Sequence, residues 1–288
     1  MESILNEINF LLQRYPIRYF EFVDDGFTLR KDFLYLLCEQ FIKNKLNIRW
    51  RCLARVDHVN KEMLILMKKA GCVKICYGVE SGNQKILDFE NKGISIAQIK
   101  KAFSMTHEVG IATLALMIIG HPLESTDSII DSMKLIREIK PFRYVFQCMS
   151  PYVGTRLFNE IVDQTGTILS KKWEDYRSTE RPLFVPNGLN SEMIKKYRDE
   201  FMLENFSLSH SLRRIFIAFL LVGTDIFNKK FFFKPLYYSL YKKLPKFFQN
   251  HLDYFLINRM IPLMKRLRKG LNIFLSAKNQ FKFSDCRL

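Results

Sequence analysis

Residues 67–87, MKKAGCVKICYGVESGNQKIL, contain the end of a helix, a glycine, a strand and a polar turn, and they set the pattern for the chain. Lys61 to Ala70 has apolar residues at helical spacing and stops before Gly71, where a left-handed residue commonly ends a helix. Val73 to Val79 has the composition of a strand, and Glu80-Ser81-Gly82 follow as a polar turn. This order predicts one helix–strand repeat of an α/β protein.

The same repeat continues on both sides of this stretch. Further helices are predicted at 2–14, 32–45, 95–110 and 126–140, and further strands at 19–23, 48–56, 113–119 and 144–149. Ser95 and Gln98 have the spacing of a capping box, which marks a helix start. Short connections and alternating elements predict a parallel sheet with right-handed crossovers. An open doubly wound sheet and a barrel-like sheet both fit this pattern.

Polar residues recur where the predicted strands end. In either architecture the carboxyl ends of the strands share one rim, where the sites of such enzymes lie. The residues on that rim are Asp24, Asp25, Arg55, Glu80, Ser81, Gly120 and Pro151. Each alone is explained by a turn or a helix N-cap, whereas four such strand ends in a row favour a functional site.

The composition excludes several classes of protein. The chain has 288 residues, of which 48% are apolar and 26% charged, so it is neither disordered throughout nor fibrous. Six cysteines are ordinary usage and indicate a reducing compartment, hence the cytoplasm. The apolar run from Ile215 to Thr224 is about half the ~20 residues that a membrane-spanning helix needs. The N-terminus, MESILNEINF, lacks the basic and apolar regions of a secretory signal.

The net charge of +16 is concentrated at one end of the chain. Residues 206–288 hold 16 Lys and Arg against 3 Asp and Glu, together with 13 of the 26 phenylalanines. Short basic amphipathic helices of this kind bind anionic membrane surfaces, and basic residues with aromatics also bind single-stranded nucleic acid. The plain alternative is packing on the rest of the protein. Abundant Phe with scarce Trp favours burial or lipid over nucleic acid.

Five segments resemble, in order and spacing, the later part of a radical S-adenosylmethionine (radical SAM) core domain, in the class that often carries a cobalamin-binding domain. They are FVDDGFT (22–28), RWRCLARVD (49–57), MKKAGCVKICYGVESGNQKIL (67–87), MIIGHPLEST (117–126) and SPYVGTRL (150–157). The resemblance implies an α/β fold, a partial (β/α)6 TIM-like barrel lacking its first strand, followed by an α-helical basic tail. It divides the chain into a core remnant at 1–165, a post-barrel extension with one helix at 166–205, and the tail at 206–288.

The resemblance further implies that S-adenosylmethionine lies across the strand ends, next to a [4Fe–4S] cluster. Asp24 and Asp25 match the segment near the methionine amino group of the cofactor. Glu80, followed by Ser81, matches a position that contacts the ribose or the methionine end. Arg55 is a candidate for the methionine carboxylate, and its alternative role is a salt bridge on the rim.

Two later segments complete the implied binding site. Ile118 and Gly120 match the part of the fifth strand of the family that borders the adenine, with Glu124 after them. Glu124 has an alternative role as an acid at a helix N-terminus. Tyr152 lies in the segment after the sixth strand, where the family usually has Pro-Gly in place of Val153-Gly154. The resemblance identifies no catalytic residue in this chain, and the substrate is an unknown small molecule.

The cluster ligands of the family are missing from the sequence. The cluster needs three cysteines in a CxxxCxxC loop, whereas the cysteines here are Cys38, Cys52, Cys72, Cys76, Cys148 and Cys286. Cys72 and Cys76 lie ~13 Å apart along a strand and are interpreted as buried apolar residues. We therefore expect no metal site in the chain, and we expect the loop to belong just before residue 1.

Three explanations of the missing loop remain open. The gene is split or its start misassigned, the chain is a degenerate pseudoenzyme, or a partner supplies the first strand and the cluster. The first is favoured, and the DNA upstream of the start codon tests it. The expected function is that of a radical SAM enzyme fragment, with reductive cleavage of S-adenosylmethionine to a 5′-deoxyadenosyl radical, or cobalamin-linked methyl transfer, in the intact enzyme. The alternative is a non-catalytic protein that acts at a membrane surface or binds partners through its tail.

Overall fold

The computed structural model describes residues 1–177 and 181–205, so the predictions made for the 206–288 tail lie outside the described residues. The helices and strands in chain order are α1 (Glu2–Arg14), β1 (Tyr19–Phe22), α2 (Lys31–Lys43), β2 (Arg49–Ala54), α3 (Lys61–Lys69), β3 (Cys72–Glu80), α4 (Gln84–Phe89), α5 (Ile96–Glu108), β4 (Ala112–Ile119), α6 (Thr126–Ile139), β5 (Arg143–Cys148), α7 (Val162–Thr165), β6 (Gly166–Ile168), β7 (Phe184–Pro186) and α8 (Ser191–Glu204).

The first five strands form one parallel sheet in the order β1-β2-β3-β4-β5. Each strand is joined to the next through at least one helix. Because the order never reverses and such crossovers share one hand, the helices collect on one face of the sheet. A doubly wound sheet would reverse its order at a switch point. The parallel α/β prediction is therefore confirmed, and the strand order selects the barrel-like alternative.

The helix-facing side of the sheet carries the core. Along β2 the side chains alternate between partly buried and buried, as expected for one face packed on helices. Trp50 is fully buried there among the rings of Phe22, Phe27 and Phe41, and its Nε1 donates to the Ala70 carbonyl at 2.8 Å. Burying each such side chain contributes roughly 1.5–3 kcal/mol, so this contact fixes the helices against the sheet.

Local signals place the helix ends. Ser95 and Gln98 form the predicted capping box, with the Gln98 N–H 3.2 Å from Ser95 Oγ. Gly71 has a φ of +95°, and a Cβ at this position would lie 2.3 Å from the Ile48 carbonyl oxygen. Only glycine avoids both the strained conformation and the clash, so the end of α3 follows from a single residue.

The short elements α4, α7, β6 and β7 were not predicted. α4 is a helix of six residues that begins where the Asn83 side chain accepts the Lys85 N–H at 3.1 Å. β6 and β7 pair antiparallel within the predicted post-barrel extension. The one helix predicted for the 166–205 extension is found as α8, which packs on β5, where the Tyr144 hydroxyl donates to the Phe201 carbonyl at 2.8 Å. α8 thus packs against the sheet.

Among the helices in residues 1–177 and 181–205, none has the length and hydropathy that crossing a bilayer requires.

Candidate functional site

The carboxyl ends of the five parallel strands lie on the same edge of the sheet, as predicted. The residue that follows or ends each strand there is Val23, Arg55, Glu80, Gly120 or Met149, and Asp24 comes next after Val23. Loops on this edge connect the strands to the helices, and they bring side chains from different strands together.

Glu80 ends β3 in an unusual backbone conformation. Its φ is +66°, in the left-handed region that non-glycine residues seldom adopt. The register with β4 shifts between Gly78 and Glu80. A Cβ on Gly78 would lie 2.6 Å from Glu80 Oε1. Because Gly78 has no side chain, the Glu80 carboxylate can lie over the end of the strand at this point.

Lys92, which no sequence pattern predicted as a site residue, lies beside this carboxylate. Its Nζ is 2.8 Å from Glu80 Oε1, and the two side chains are 24% and 21% exposed. Lys92 belongs to the loop between α4 and α5, twelve residues after Glu80. No periodicity or strand-end rule points to such a loop residue, so its place became apparent only in the structure.

Arg55 is tied to the same loop. Its guanidinium donates to both oxygens of Asp57 at 3.0 Å and to the Lys92 carbonyl at 2.7 Å. Burial raises the pKa of Asp57, but the hydrogen bond from Arg55, a main-chain hydrogen bond and the charges of Arg55 and His58 together outweigh burial, so the pKa lies below its usual value. Arg55 thus makes the rim salt bridge that was its alternative role, and it also holds the loop that carries Lys92.

Glu124 is buried behind Gly120. Its carboxylate accepts the Gly120 N–H at 2.6 Å, the His121 N–H at 3.2 Å and the Ser128 hydroxyl at 3.3 Å. Burial raises the pKa of Glu124, against the effects of His121 and these donors. Because Glu124 binds main-chain groups of the turn after β4, it shapes the strand end.

The other predicted site residues lie in different surroundings. Ser81 is fully buried, and its hydroxyl is 3.4 Å from that of Ser132 in α6. Asp24 and Asp25 are exposed in the turn after β1. Within the described part of the chain, no contact joins either aspartate to Glu80. The site contacts predicted for Ser81 and for the two aspartates stay predictions.

Ile118 and Tyr152 lie towards the β5 side of the rim. Ile118 is partly buried against the cluster formed by Met149, Val162 and Phe184. Tyr152 is 54% exposed, and its ring centroid is 5.6 Å from that of Tyr176. Of the rim residues, the contacts described above join Arg55, Glu80 and Lys92. We call these three residues, with Gly78 and Gly120, the rim cradle.

The described cysteines do not form a metal site. Cys38, Cys52, Cys72, Cys76 and Cys148 are all buried, and no group of three His, Cys, Asp or Glu in residues 1–177 and 181–205 is placed to hold a metal ion. Burial raises the pKa of Cys38 to about 12. Burial likewise raises the pKa of Cys76, against the effects of Lys74 and Arg51. Neutral buried thiols are poor metal ligands, so the described residues do not fit an iron–sulfur cluster.

The chemistry of the rim cradle suits a small zwitterion. A carboxylate and an ammonium group, both partly exposed, lie 2.8 Å apart. A ligand that has both an ammonium group and a carboxylate can replace this internal ion pair with two new ones. Its ammonium group pairs with Glu80, and its carboxylate pairs with Lys92. On the β5 side of the same rim, Ile118 offers an apolar surface for a flat ring.

Comparison with known proteins identifies the family that the chain resembles. The model of the radical SAM superfamily matches residues 1–136. An uncharacterized methyltransferase of Pyrococcus horikoshii is 30% identical over 196 residues, which are 68% of this chain and 42% of the relative. The anaerobic magnesium-protoporphyrin IX monomethyl ester cyclase of Rubrivivax gelatinosus is 26% identical over 208 residues, 71% of this chain and 38% of the cyclase. The chain thus spans less than half the length of these curated relatives.

A solved structure shows the same fold. TsrM, a radical S-adenosylmethionine methyltransferase from Kitasatospora setae solved with cobalamin and a [4Fe–4S] cluster, matches with a TM-score of 0.54 at 15% identity. The match covers 73% of this chain and 39% of TsrM. This likeness confirms the partial TIM-like barrel. Since the family model matches residues 1–136, we conclude that this part of the chain belongs to the radical SAM superfamily.

Proposed function

We propose that this chain supplies the S-adenosylmethionine-binding part of a radical SAM enzyme. The observation that carries the proposal is the pair formed by Glu80 and Lys92 on the rim, 2.8 Å apart and partly exposed. S-adenosylmethionine has an ammonium group, a carboxylate, a ribose diol and an adenine ring. The rim cradle offers an acceptor, a donor and an apolar neighbour for these groups.

Each residue has a distinct part in this proposal. Glu80 accepts hydrogen bonds from the ribose hydroxyls or the ammonium group, and Lys92 binds the carboxylate. Arg55, already paired with Asp57, orients the loop of Lys92. Ile118 and Gly120 border the adenine, while Asp24, Asp25 and Tyr152 line the outer part of the rim.

The reaction belongs to the intact enzyme. There S-adenosylmethionine is cleaved reductively to a 5′-deoxyadenosyl radical, or a methyl group is transferred to an unactivated carbon with the help of cobalamin. The relatives support this class, since they include a bacteriochlorophyllide d C-12(1)-methyltransferase of Chlorobaculum tepidum, 30% identical over 189 residues. In this family the electron comes from a [4Fe–4S] cluster. Since the described residues do not fit that cluster, we propose that another polypeptide segment provides its ligands.

Equilibrium dialysis of labelled S-adenosylmethionine against the full chain tests the proposal. We expect saturable binding that Glu80→Gln weakens at least about tenfold, because a carboxylate forms stronger hydrogen bonds than an amide. Glu108→Gln is the matched control, since Glu108 is an exposed carboxylate paired with Lys61 at 2.9 Å. Equal loss in both variants, or no binding by the unsubstituted chain, would refute the proposal.

A second proposal concerns the tail at 206–288. Its 16 basic residues against 3 acidic ones, with 13 phenylalanines, support contact with an anionic membrane surface. Flotation of the full chain with anionic vesicles tests it, with neutral vesicles as the control. If the chain stays at the bottom of the gradient with both kinds of vesicle, the membrane proposal is wrong. If such a chain binds single-stranded RNA, the tail is better explained as a nucleic-acid-binding segment.

A further inference from the structure

His121 is a buried histidine that the proposed binding site does not use. It follows Gly120 at the end of β4, and its side chain is fully buried. Its Nδ1 lies 2.8 Å from Glu90 Oε1. Its Nε2 is also buried and makes no hydrogen bond within the described residues. Burying an imidazole and its acidic partner removes both from water, which costs free energy. We therefore expect this pair to make a contribution to the rim that offsets the cost.

The partner of His121 belongs to the loop that holds the rim cradle together. Residues 90–93 follow α4 and contact the ends of three successive strands. Glu90 pairs with His121 after β4, the Lys92 ammonium pairs with Glu80 at the end of β3, and the Lys92 carbonyl accepts from Arg55 after β2. The loop thus fixes where Lys92 stands relative to Glu80.

One residue of the loop, Asn91, has a backbone conformation that needs such anchors. Asn91 has a φ of +51° and Gly93 a φ of +68°. A non-glycine residue in this region persists only where surrounding contacts hold it. The amides of Glu90, Asn91 and Lys92 donate to the carbonyls of Ile86, Asp88 and Leu87. Opening of the loop therefore exposes three amide protons whose exchange can be measured.

The groups around His121 favour its charged form. Burial lowers the pKa of His121, but the hydrogen bond with Glu90, the charges of Glu124 and Glu90, and the Glu80 carbonyl together raise it above the usual value. Glu90 comes from the loop, Glu124 from the turn after β4, and the Glu80 carbonyl from β3. A charged imidazole donates from Nδ1 to the Glu90 carboxylate, a stronger contact than a neutral one forms.

We propose that His121 is a positioning residue, which anchors the 90–93 loop through Glu90 and so holds Lys92 where it and Glu80 receive the cofactor. The proposal rests on the proposed function in one respect, namely that Lys92 and Glu80 bind S-adenosylmethionine. The anchoring itself does not depend on any ligand.

Hydrogen exchange on the full chain, read by mass spectrometry, tests the anchoring. We expect amides 90–92 to exchange about tenfold faster in His121→Leu and in Glu90→Ala, the loosening that loss of a charge-assisted contact brings. Amides within β3 keep their protection. Because Glu90 is partly exposed, Glu90→Ala keeps the test valid if His121→Leu does not fold. Unchanged exchange of the loop in a folded Glu90→Ala variant overturns the proposal.

Conservative variants separate positioning from mere structural support. In His121→Asn the amide nitrogen stands near the place of Nδ1, and in Glu90→Gln the amide oxygen still accepts from the ring. Both should restore most of the loop protection, while global loosening in every variant would indicate a structural role alone. The ¹⁵N shifts of the imidazole in labelled protein should show a proton on Nδ1, as donation to the Glu90 carboxylate requires, and an Nδ1 without a proton contradicts the proposal.

Binding of S-adenosylmethionine distinguishes a failure of the positioning role of His121 from a failure of the proposed function. We expect Glu90→Ala to weaken binding several-fold and Glu90→Gln to recover it. If the loop loosens but the affinity stays unchanged, the positioning role is wrong while the binding site stands. If the unsubstituted chain does not bind, the proposed function fails, and loop exchange still decides whether His121 anchors the loop.

Discussion

The main chain of Gly82 lies directly against Ser132 of α6. The Gly82 N–H donates to Ser132 Oγ at 2.8 Å, and a Cβ on Gly82 would lie 2.4 Å from Ser132 Cα. No real Cβ occupies such a position, so glycine lets the turn after β3 approach the helix. This contact sets the direction in which the chain leaves Glu80.

Gly82→Ala should destabilise the protein, because backbone atoms of α6 cannot move aside for the added methyl group. Overpacking of this kind costs about 1–3 kcal/mol, measured as the change in free energy of unfolding in urea. Gly26→Ala is the control, since a Cβ there meets only ordinary contacts at 3.5 Å with Leu29. Equal stability of the two variants would show that the turn tolerates a side chain.

Lys92→Met should weaken binding of S-adenosylmethionine by about tenfold, the loss expected for one charge-assisted contact with the ligand carboxylate. Binding of methylthioadenosine, which has no carboxylate, should stay unchanged or improve, because Glu80 then loses its internal partner. Isothermal titration calorimetry measures both ligands. Lys61→Met, which removes an exposed ammonium paired with Glu108, should change neither. Equal weakening for both ligands would place Lys92 outside the carboxylate site.

The stability provided by His121 should depend on pH. Its pKa is raised in the folded protein, so protonation stabilises the fold fully below the unfolded value of about 6.5 and ceases to do so as the pH rises through the folded value. The difference in unfolding free energy between the unsubstituted chain and His121→Asn should therefore shrink from about pH 6.5 upward. A difference that stays constant in urea titrations across this range would contradict the charged form.

Reconstitution of the chain alone with iron and sulfide should yield no [4Fe–4S] cluster. No three of its six cysteines have the CxxxCxxC spacing, and the described ones are buried. The measurement is the absorbance band of the cluster, followed by electron paramagnetic resonance after reduction. A stoichiometric signal from the unsubstituted chain would mean that its cysteines assemble a site by another route.

The sequence specified those parts of the fold that depend on local patterns. The strand around Val79, the capping box at Ser95 and the left-handed Gly71 were all predicted and found, since periodicity and capping act over a few residues. The bounds differ by one or two residues, as terminal turns commonly do. The sequential strand order was one of two alternatives, because crossovers alone do not fix it.

The site depended on contacts that no local pattern encodes. Glu80 was predicted, but its left-handed φ arises from the register shift with β4. Lys92 and Glu90 reach the rim through the loop after α4, a helix too short to show periodicity. β6 and β7 pair across a long separation with three residues each. These features follow from tertiary packing.

The central claim is that the rim cradle binds S-adenosylmethionine, and hydrogen exchange of the full chain with and without this ligand tests it most directly. We predict slower exchange in peptides that cover residues 78–94 and 117–124 when S-adenosylmethionine is added, and no such change in Glu80→Gln. Protection confined to other parts of the chain, or the same protection in Glu80→Gln, would contradict the account.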